Sequence, residues 1–476
     1  MVKQLVSLTL EAASGETMAR KLLNVAVKLG DFALQLMLLW QSLENGYPLV
    51  LICVLTVTIV LNAVACVLMM TLSQFQSGLL QVFVDCLYVT SPVGFNRYSS
   101  LAANSYGNSS FFAFLIAVGF PMLVLFYCLR AFTFDSKKLA INNAVFPPGV
   151  FERLARVIAD PVTLTNVLNS LNSLRILSVA NFFTRVGNNL SMCFQFVTLV
   201  THRQRLRQSH SSLYPYRHPV TLLFLLLPIA VVVYVSQSIV ASQAACAPHP
   251  ECVAHAYRWI SLREDDKTQC PCLTLIDVHV APRTYAEWQQ PVNVVEKLAQ
   301  LSSSGDLHTV QITNRLLPTL PDEFRRCKNL KHLAMVYTHT ETLPSWANEF
   351  TNLEYLHIEG ALDIASLTSL SEDLFDNMNS LSFLQLGVHQ HLRRLPSFMG
   401  LVNLRSLTLA LLLEVEELPE FTSLTKLELL VMSLMIQLDS IPDLSPVMNL
   451  LGFVVTFGRK VCCNGFLDNQ CDLSKP

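Results

Sequence analysis

The first half of the chain alternates between long apolar runs and polar connections. Three of these runs carry no charged residue, at residues 47–70, 110–128 and 219–240. Because a helix needs about 20 apolar residues to cross the hydrocarbon core of a bilayer, they predict three membrane spans. Residues 22–40 carry Lys28 and Asp31, and residues 79–93 are short and carry Asp85. Each of these two segments either spans the membrane inside a bundle or lies on its surface.

The distribution of Lys and Arg predicts the orientation of this membrane domain, which we place at residues 1–241. Residues 130–218 carry 11 Lys and Arg against three Asp and Glu, and loops rich in positive charge stay in the cytoplasm. Three spans and five spans both put the N-terminus in the cytoplasm and the C-terminal domain on the exoplasmic side, with the plasma membrane the expected location. Leucines at helical spacing over residues 163–183 predict a helix that either lies on membrane lipid or packs inside the cytoplasmic region.

A different pattern fills residues 307–449. Six consecutive copies of a 23-residue unit, one of them lengthened by five residues, begin at Leu307, Leu330, Leu353, Leu381, Leu404 and Leu427. Apolar residues at the first, fourth and sixth positions of each copy predict a short strand that points alternate side chains inward. In most copies a Leu-Pro or Ile-Pro pair follows, where Pro ends the turn. No single copy can bury its leucines, so the copies must stack into one continuous core.

These repeats resemble the leucine-rich-repeat family. The resemblance implies an α/β solenoid with a parallel concave sheet and an irregular or helical convex side. With the apolar runs, the expected fold is a multipass α-helical membrane domain followed by this solenoid. The chain also resembles multipass membrane proteins with a C-terminal, cysteine-capped, exoplasmic leucine-rich-repeat domain that ends on a Cys-Cys-Asn-Gly segment, here Cys462 to Gly465. The family often has Asn at the ninth position of the repeat, where its side chain bonds the turn. Here that position holds Arg315, Thr338, Ala361, His389, Leu412 and Met435, so the turn must be satisfied in another way.

Seven cysteines flank the repeats: Cys246, Cys252, Cys270, Cys272, Cys462, Cys463 and Cys471. The first four lie in a predicted N-terminal cap at residues 242–306 and the last three in a predicted C-terminal cap at residues 450–476. They resemble the cysteine-capped ends of extracellular leucine-rich-repeat proteins, which implies disulfides. Metal ligation or free thiols are the alternative, although Cys270-Pro271-Cys272 lacks the spacing of a zinc knuckle. Cys327 takes a core position that Phe350 takes in the next copy, which predicts a buried free thiol.

The composition suggests a membrane protein, and the motifs give no sign of catalysis. Hydrophobic residues make up 52% of the chain and charged residues 14%, against about 25% charged in a typical soluble protein. The sequence contains no phosphate-binding glycine loop, no Gly-x-Ser-x-Gly elbow and no His-Glu-x-x-His motif. A pI near 6.6 does not suggest nucleic-acid binding. We therefore expect a binding protein and not an enzyme, with neither a cofactor nor a metal.

The concave sheet is the expected binding site. Its outward positions supply a set of candidate ligand-binding residues: Gln311, His332, Tyr337, Tyr355, His357, Glu359, Phe383 and Gln385. Neighbouring strands lie about 4.8 Å apart, so these residues would form one surface, and Tyr and His suit a protein or peptide ligand. His332 and His357 either titrate together or hold a metal, or they are two ordinary exposed histidines.

Two functions follow from this organisation. The first is a cell-surface recognition protein, receptor-like or adhesive, that binds a protein or peptide outside the cytoplasm and signals through a partner in the membrane or a second copy of the chain. The second is a channel or transporter subunit regulated by its repeats, because the Leu-Pro-containing 23-residue unit is similar to that of the volume-regulated anion channels. Those channels carry their repeats in the cytosol, and the basic loop and the cysteine caps argue against that arrangement here.

Overall fold

The computed structural model of the chain describes a defined set of residues: 18–71, 178–191, 219–259, 269–279, 284–362, 365–438 and 440–456, with single positions at 162, 166 and 169. The chain divides into two compact units. The first comprises Met1–Phe134 and Ser170–Val240, and the second Asp135–Asn169 and Ala241–Pro476. Several predicted features lie outside the described residues: the spans at 79–93 and 110–128, most of the loop at 130–218, and Cys462, Cys463 and Cys471.

The first unit is helical in its described part. Helix α1 covers Met18–Glu44, α2 covers Leu49–Thr71, and α3 covers Val220–Cys246. The part of α3 after Val240 belongs to the second unit. Leu22–Glu44, with a mean hydropathy of 1.6, and Val220–Cys246, with a mean hydropathy of 2.3, are long and apolar enough to cross a membrane. The described apolar stretch of α2, Leu49–Val64, is shorter. Length and composition alone make the two longer helices candidates for membrane spans.

Two of these helices contain segments that the sequence singled out as spans, and a further helical stretch lies in the predicted loop. Residues 22–40, which the sequence left undecided because of two charged residues, lie entirely within α1. Residues 219–240 fall almost entirely within α3, which continues to Cys246. Residues 179–191, inside the predicted loop, are helical and contact α1 through polar side chains. A hydropathy pattern does not reveal such a helix, because its hydrogen bonds to α1 are made by Asn, Thr and Ser.

The second unit contains one sheet of nine strands in chain order. The strands are β1 Cys252–His255, β2 Cys272–Val278, β3 Thr309–Thr313, β4 His332–Val336, β5 Tyr355–Glu359, β6 Phe383–Gly387, β7 Ser406–Ala410, β8 Leu429–Ser433 and β9 Gly452–Thr456. β1 pairs antiparallel with β2, and every later pair is parallel. Each predicted copy contributes one strand, from β3 to β8. Two short helices, α4 Tyr285–Gln289 and α5 Val295–Ser302, come before the repeats.

The solenoid core is built from equivalent residues of successive copies. Leucines at the repeat starts, such as Leu330 and Leu381, are fully buried. Phe375, Phe398 and Phe421 form a second buried row on the side away from the sheet, with ring centroids 6.1 Å apart at each step. Short 3₁₀ helices at Asp322–Arg326 and Ser345–Glu349 follow the prolines of their copies. Each copy buries its apolar residues only against its neighbours, which is the arrangement that the repeat pattern predicts.

The backbone at the end of the strands shows how the turn is hydrogen-bonded although the ninth position of the repeat lacks Asn. The residue after the strand adopts a positive φ in most copies: Asn314, Tyr337, Val388, Leu411 and Leu434 lie between 52° and 57°. In this conformation the backbone N–H of Asn314 donates to the Val336 carbonyl over 2.9 Å, and that of Tyr337 donates to the Glu359 carbonyl over 2.7 Å. The turn is therefore bonded backbone to backbone between copies and needs no Asn side chain.

Candidate functional site

The N-terminal cap is fastened by two disulfides, whose pairing the sequence left open. Cys246 bonds to Cys270, and Cys252 bonds to Cys272. The sulfurs of Cys246, Cys252 and Cys270 lie within 4.8 Å of one another, so the two bonds are neighbours. Sulfurs in disulfides are not thiolates, so in this state they are not ligands for a metal. The cap thus joins the last residue of α3 covalently to the start of the sheet.

The strand register arranges the candidate residues into rows across the concave face. The first row contains His332, Tyr355 and Phe383, the second row contains Gln311, His357 and Gln385, and the third row contains Glu359. Residues of one row are paired across neighbouring strands, so the sheet brings seven of the eight candidates onto one surface. The alternation predicted from the repeats is therefore correct for these positions.

Tyr337 is the exception. The strand period from His332 leads through Ala334 to Val336, and Val336 pairs with Glu359 in the third row. Tyr337 follows the strand in the left-handed region, at φ 56°, so its prediction as a strand position was wrong. Its hydroxyl nevertheless reaches the concave face and donates to Glu359 Oε1 over 3.2 Å.

Glu359 is the centre of the polar contacts on this face. Its Oε2 lies 2.8 Å from His357 Nε2 and accepts from Gln385 Nε2 over 3.3 Å, while Oε1 accepts from Tyr337. Burial, followed by the negative charge of Glu359, raises the pKa of the Tyr337 phenol. Gly387 faces Glu359 on the next strand, and a Cβ there would lie 3.4 Å from Glu359 Cγ. Glu359 is also the only Asp, Glu, Lys or Arg in the concave rows of β3 to β9.

Aromatic rings pack beside this carboxylate. Tyr355 stacks on Phe383 with ring centroids 4.4 Å apart and an interplanar angle of 4°, and His332 meets Tyr355 edge-on at 5.4 Å. The stacking contributes to the burial of Tyr355 and Phe383, which are 7% and 6% exposed. Trp288 of α4 packs on the Tyr337 ring at 5.0 Å. The repeat period could not have revealed Trp288, because it lies in the cap before the first copy.

The two histidines that the sequence brought together have separate surroundings. His357 bonds Glu359 and is 6% exposed, whereas His332 lies in another row against Tyr355. Over the residues described, the cap cysteine sulfurs form the one group close enough to hold a metal ion, and neither histidine belongs to it. The geometry favours two histidines that pack on their own neighbours, and the expectation that both are exposed is wrong for His357.

Two buried titratable residues near the sheet were not expected from the sequence. Burial raises the pKa of Glu354, just before β5, to about 7, and Lys331, whose Nζ lies 3.7 Å from Glu354 Oε1, opposes part of this rise. Burial lowers the pKa of His389 to about 4, and its Nε2 lies 3.2 Å from the Ile358 carbonyl. His389 occupies the ninth position of its copy, so there a histidine contacts the backbone of the preceding copy.

Solved structures that are similar to this chain match it at low identity and low TM-score. No protein-family model and no curated protein matches the chain. Among solved structures, the leucine-rich-repeat domain of the type III effector XopL is 18% identical, with a TM-score of 0.24, and the match covers 50% of this chain and 96% of that domain. The functional domain of InlJ from Listeria monocytogenes, which includes a cysteine ladder, is 12% identical, with a TM-score of 0.15, and the match covers 48% of this chain and 70% of that domain. The C-terminal unit is a solenoid that resembles a leucine-rich-repeat domain, as its own sheet and repeats indicate.

Proposed function

We propose that this protein is a membrane-anchored recognition protein, receptor-like or adhesive, whose solenoid binds a protein or peptide ligand on its concave face without catalysing a reaction. The observation that carries this proposal is the group around Glu359. A single carboxylate, held by a phenol, an imidazole and an amide, lies beside stacked aromatic rings on a continuous sheet. Aromatic side chains next to a fixed polar group are the features that concentrate binding energy in protein interfaces.

The exposure pattern of α1 supports a membrane location. Its charged residues Lys28 and Asp31 are 1% and 2% exposed, whereas Leu23 and Trp40 are 50% and 53% exposed. A surface helix in water shows the opposite arrangement. In a bilayer, charged side chains face the bundle interior and apolar side chains face lipid, so α1 has the pattern of a membrane helix.

The disulfides of the cap support an exoplasmic solenoid at the cell surface. Disulfides persist in oxidising compartments and are rare in the cytosol, so Cys246–Cys270 and Cys252–Cys272 suit a cap outside the cytoplasm. Ligand binding there would act on a partner in the membrane, or on a second copy of the chain, through the helices of the first unit. Accessibility of a C-terminal tag on intact cells tests this orientation, and a tag stained only after permeabilisation contradicts it.

The binding site is tested with a random peptide display library selected on the full chain in detergent. We expect wild type to enrich a set of peptides that Gln385→Ala and Glu359→Gln no longer retain. His391→Ala is the matched control, because His391 is 70% exposed and contacts Glu414, which is not in a concave row. Equal retention by all four proteins would contradict the concave site, and a library without enrichment would contradict peptide recognition.

A second candidate function, a channel or transporter subunit regulated by its solenoid, is favoured by one observation. Lys28 Nζ lies 3.0 Å from Asp31 Oδ2 inside α1, and ion pairs buried in membrane helices often mark ion or substrate pathways. Ion flux into liposomes that contain the purified chain, reduced by Asp31→Asn, would support this function. Liposomes that stay impermeable although the chain is folded would argue against it.

A further inference from the structure

Residues 178–200 have the composition of a helix in a membrane bundle, although the charge pattern assigns them to a cytoplasmic loop. The segment holds 23 residues, and Arg185 is its only Asp, Glu, Lys or Arg. At 1.5 Å per residue a helix of this length reaches about 35 Å, enough for a hydrocarbon core of about 30 Å. Its Asn and Ser residues lower the hydropathy, which is why an apolar-run criterion misses it.

The contacts of residues 179–191 show their direction along α1. Asn181 Nδ2 donates to Gln41 Oε1 over 3.2 Å, and Gln41 Nε2 donates to Thr184 Oγ1 over 3.3 Å. Towards the other end, Ser191 Oγ donates to Asp31 Oδ1 over 2.9 Å. Ten residues separate Asn181 from Ser191, and ten separate Asp31 from Gln41, so the two helices run antiparallel in matching register for about 15 Å.

The same polar residues are buried between the helices. Asp31, Asn181 and Thr184 are 2%, 6% and 1% exposed. Asn62 of α2 joins them by donating to Gln35 of α1 over 3.3 Å. In a hydrocarbon environment a polar side chain needs a partner on a neighbouring helix, and such bonds contribute to helix association. We call this set of interhelical bonds the polar seam.

We propose that the helix of residues 179–191 is part of an additional membrane span antiparallel to α1, for which residues 178–200 supply the sequence, and that the polar seam holds this helix in the bundle. The proposal rests on the membrane location proposed above. It divides the predicted loop 130–218, because residues 130–177 and 201–218 then lie on opposite sides of the bilayer.

The packing of the other helices shows which ends share a side. Thr221 contacts Met70 over 3.4 Å, and Phe224 packs on Phe32 with ring centroids 5.4 Å apart. The end of α2 and the start of α3 therefore lie near the Asp31 end of the seam, where Ser191 contacts Asp31. Residues 201–218, which connect to this side, hold four Arg and no Asp or Glu in 18 residues, whereas residues 130–177 hold six Lys and Arg with three Asp and Glu in 48. By the distribution of positive charge this side is cytoplasmic, and residues 130–177 are exoplasmic.

Glycosylation mapping of the full chain tests the crossing. An Asn-Ser-Thr acceptor in a flexible glycine-serine extension is inserted after Val150, after Ser212 or after Asp266, and each version is expressed in cells and treated with a glycosidase. We expect glycans at the first and third sites and none at the second. Glycans at both Val150 and Ser212, or at Asp266 alone, would overturn the additional span. An acceptor after Asp266 that stays unmodified would instead overturn the exoplasmic solenoid of the proposed function.

Cysteine cross-linking tests the seam independently of sidedness. The pair Gln41→Cys and Thr184→Cys replaces side chains in hydrogen-bond contact, so an oxidant should join the two helices in membranes. The matched control pairs Gln41→Cys with Ser191→Cys, at opposite ends of the seam, and should remain unlinked. Linking of the control pair as fast as the test pair, or linking of neither, would overturn the register on which the span depends.

Discussion

Replacing the buried Glu354 by Gln should stabilise the solenoid at neutral and alkaline pH. Glu354 is 8% exposed, and burial raises its pKa from 4.5 to about 7, with Lys331 opposing part of the rise. A carboxyl whose pKa is raised on folding favours the folded state when it is protonated. Its contribution to stability is fully present below pH 4.5 and is lost as the pH rises through about 7.

The size of the effect follows from the same two pKa values. One pKa unit corresponds to about 1.4 kcal/mol, so a rise from 4.5 to about 7 corresponds to about 3 kcal/mol at pH 8. Between pH 5 and pH 8 the wild-type solenoid should therefore lose about 2 to 3 kcal/mol of stability through this group. Glu354→Gln keeps the shape of the side chain and removes the charge, so the variant should lack this loss.

Hydrogen exchange of the full chain in detergent measures the effect locally. Peptides that cover β5 and β6 are followed at pH 5 and pH 8, with the chemical exchange rate at each pH divided out. Glu428→Gln is the matched control, because Glu428 occupies the same repeat position but pairs with Arg405 Nη1 over 2.7 Å, so its loss should destabilise by about 0.2–1 kcal/mol. Equal pH dependence in wild type and Glu354→Gln would refute the reasoning.

Three further predictions concern packing and reactivity. Gly400→Ala places a Cβ 2.0 Å from the Phe375 carbonyl oxygen and should destabilise the solenoid by about 1–3 kcal/mol or more, seen as a lower thermal midpoint. Gly387→Ala is the control, because its Cβ would have its nearest contact 3.4 Å away, and it should change the thermal midpoint little. Phe398→Ala removes a fully buried ring that lies between Phe375 and Phe421 and should lower the stability of the solenoid by about 3–5 kcal/mol. We expect faster hydrogen exchange in β6 and β7, and unchanged exchange would contradict the stacked core. Burial raises the pKa of the Cys327 thiol to about 11, so iodoacetamide should modify it at pH 8 only after denaturation, and rapid labelling of the folded chain, located by mass spectrometry, would contradict this.

The repeat period was enough to predict the strands and most of the concave surface. Each copy has apolar residues at fixed positions, so the register of β3 to β8 follows from the alignment of the copies, and the rows of Tyr355, His357 and Glu359 follow from the register. Tyr337 was placed wrongly because the chain leaves the strand one residue earlier. The left-handed conformation there depends on a backbone bond to the next copy, and a pattern of apolar residues does not encode such a bond.

The helical unit was less predictable because its packing is polar. Lys28 and Asp31 lowered the hydropathy of residues 22–40, although each is the partner that allows the other to be buried. The bonds of Asn181 and Ser191 to α1 join residues 140 or more positions apart, which a single sequence does not reveal. Such residues fit an apolar helix only because neighbouring helices bury and bond them, and local composition does not show this.

The disulfide between Cys246 and Cys270 shortens the connection between α3 and the sheet. Cys246 is the last residue of α3, and Cys270 lies 24 residues further along the chain. Cys270 is two residues before Cys272, which is bonded to Cys252. A force applied to the sheet is therefore transmitted to α3 through the two disulfides, and the residues between Cys246 and Cys270 do not have to extend first. After reduction of both disulfides, the pairing of β1 with β2 and the ion pairs of Arg258 with Asp306 and of Glu251 with Lys297 would still hold this segment. If these contacts also separated, the 24 residues from Cys246 to Cys270 could extend to about 80 Å. The redox state of the cap would then decide whether tension on the sheet reaches α3 directly or through a segment of extended chain.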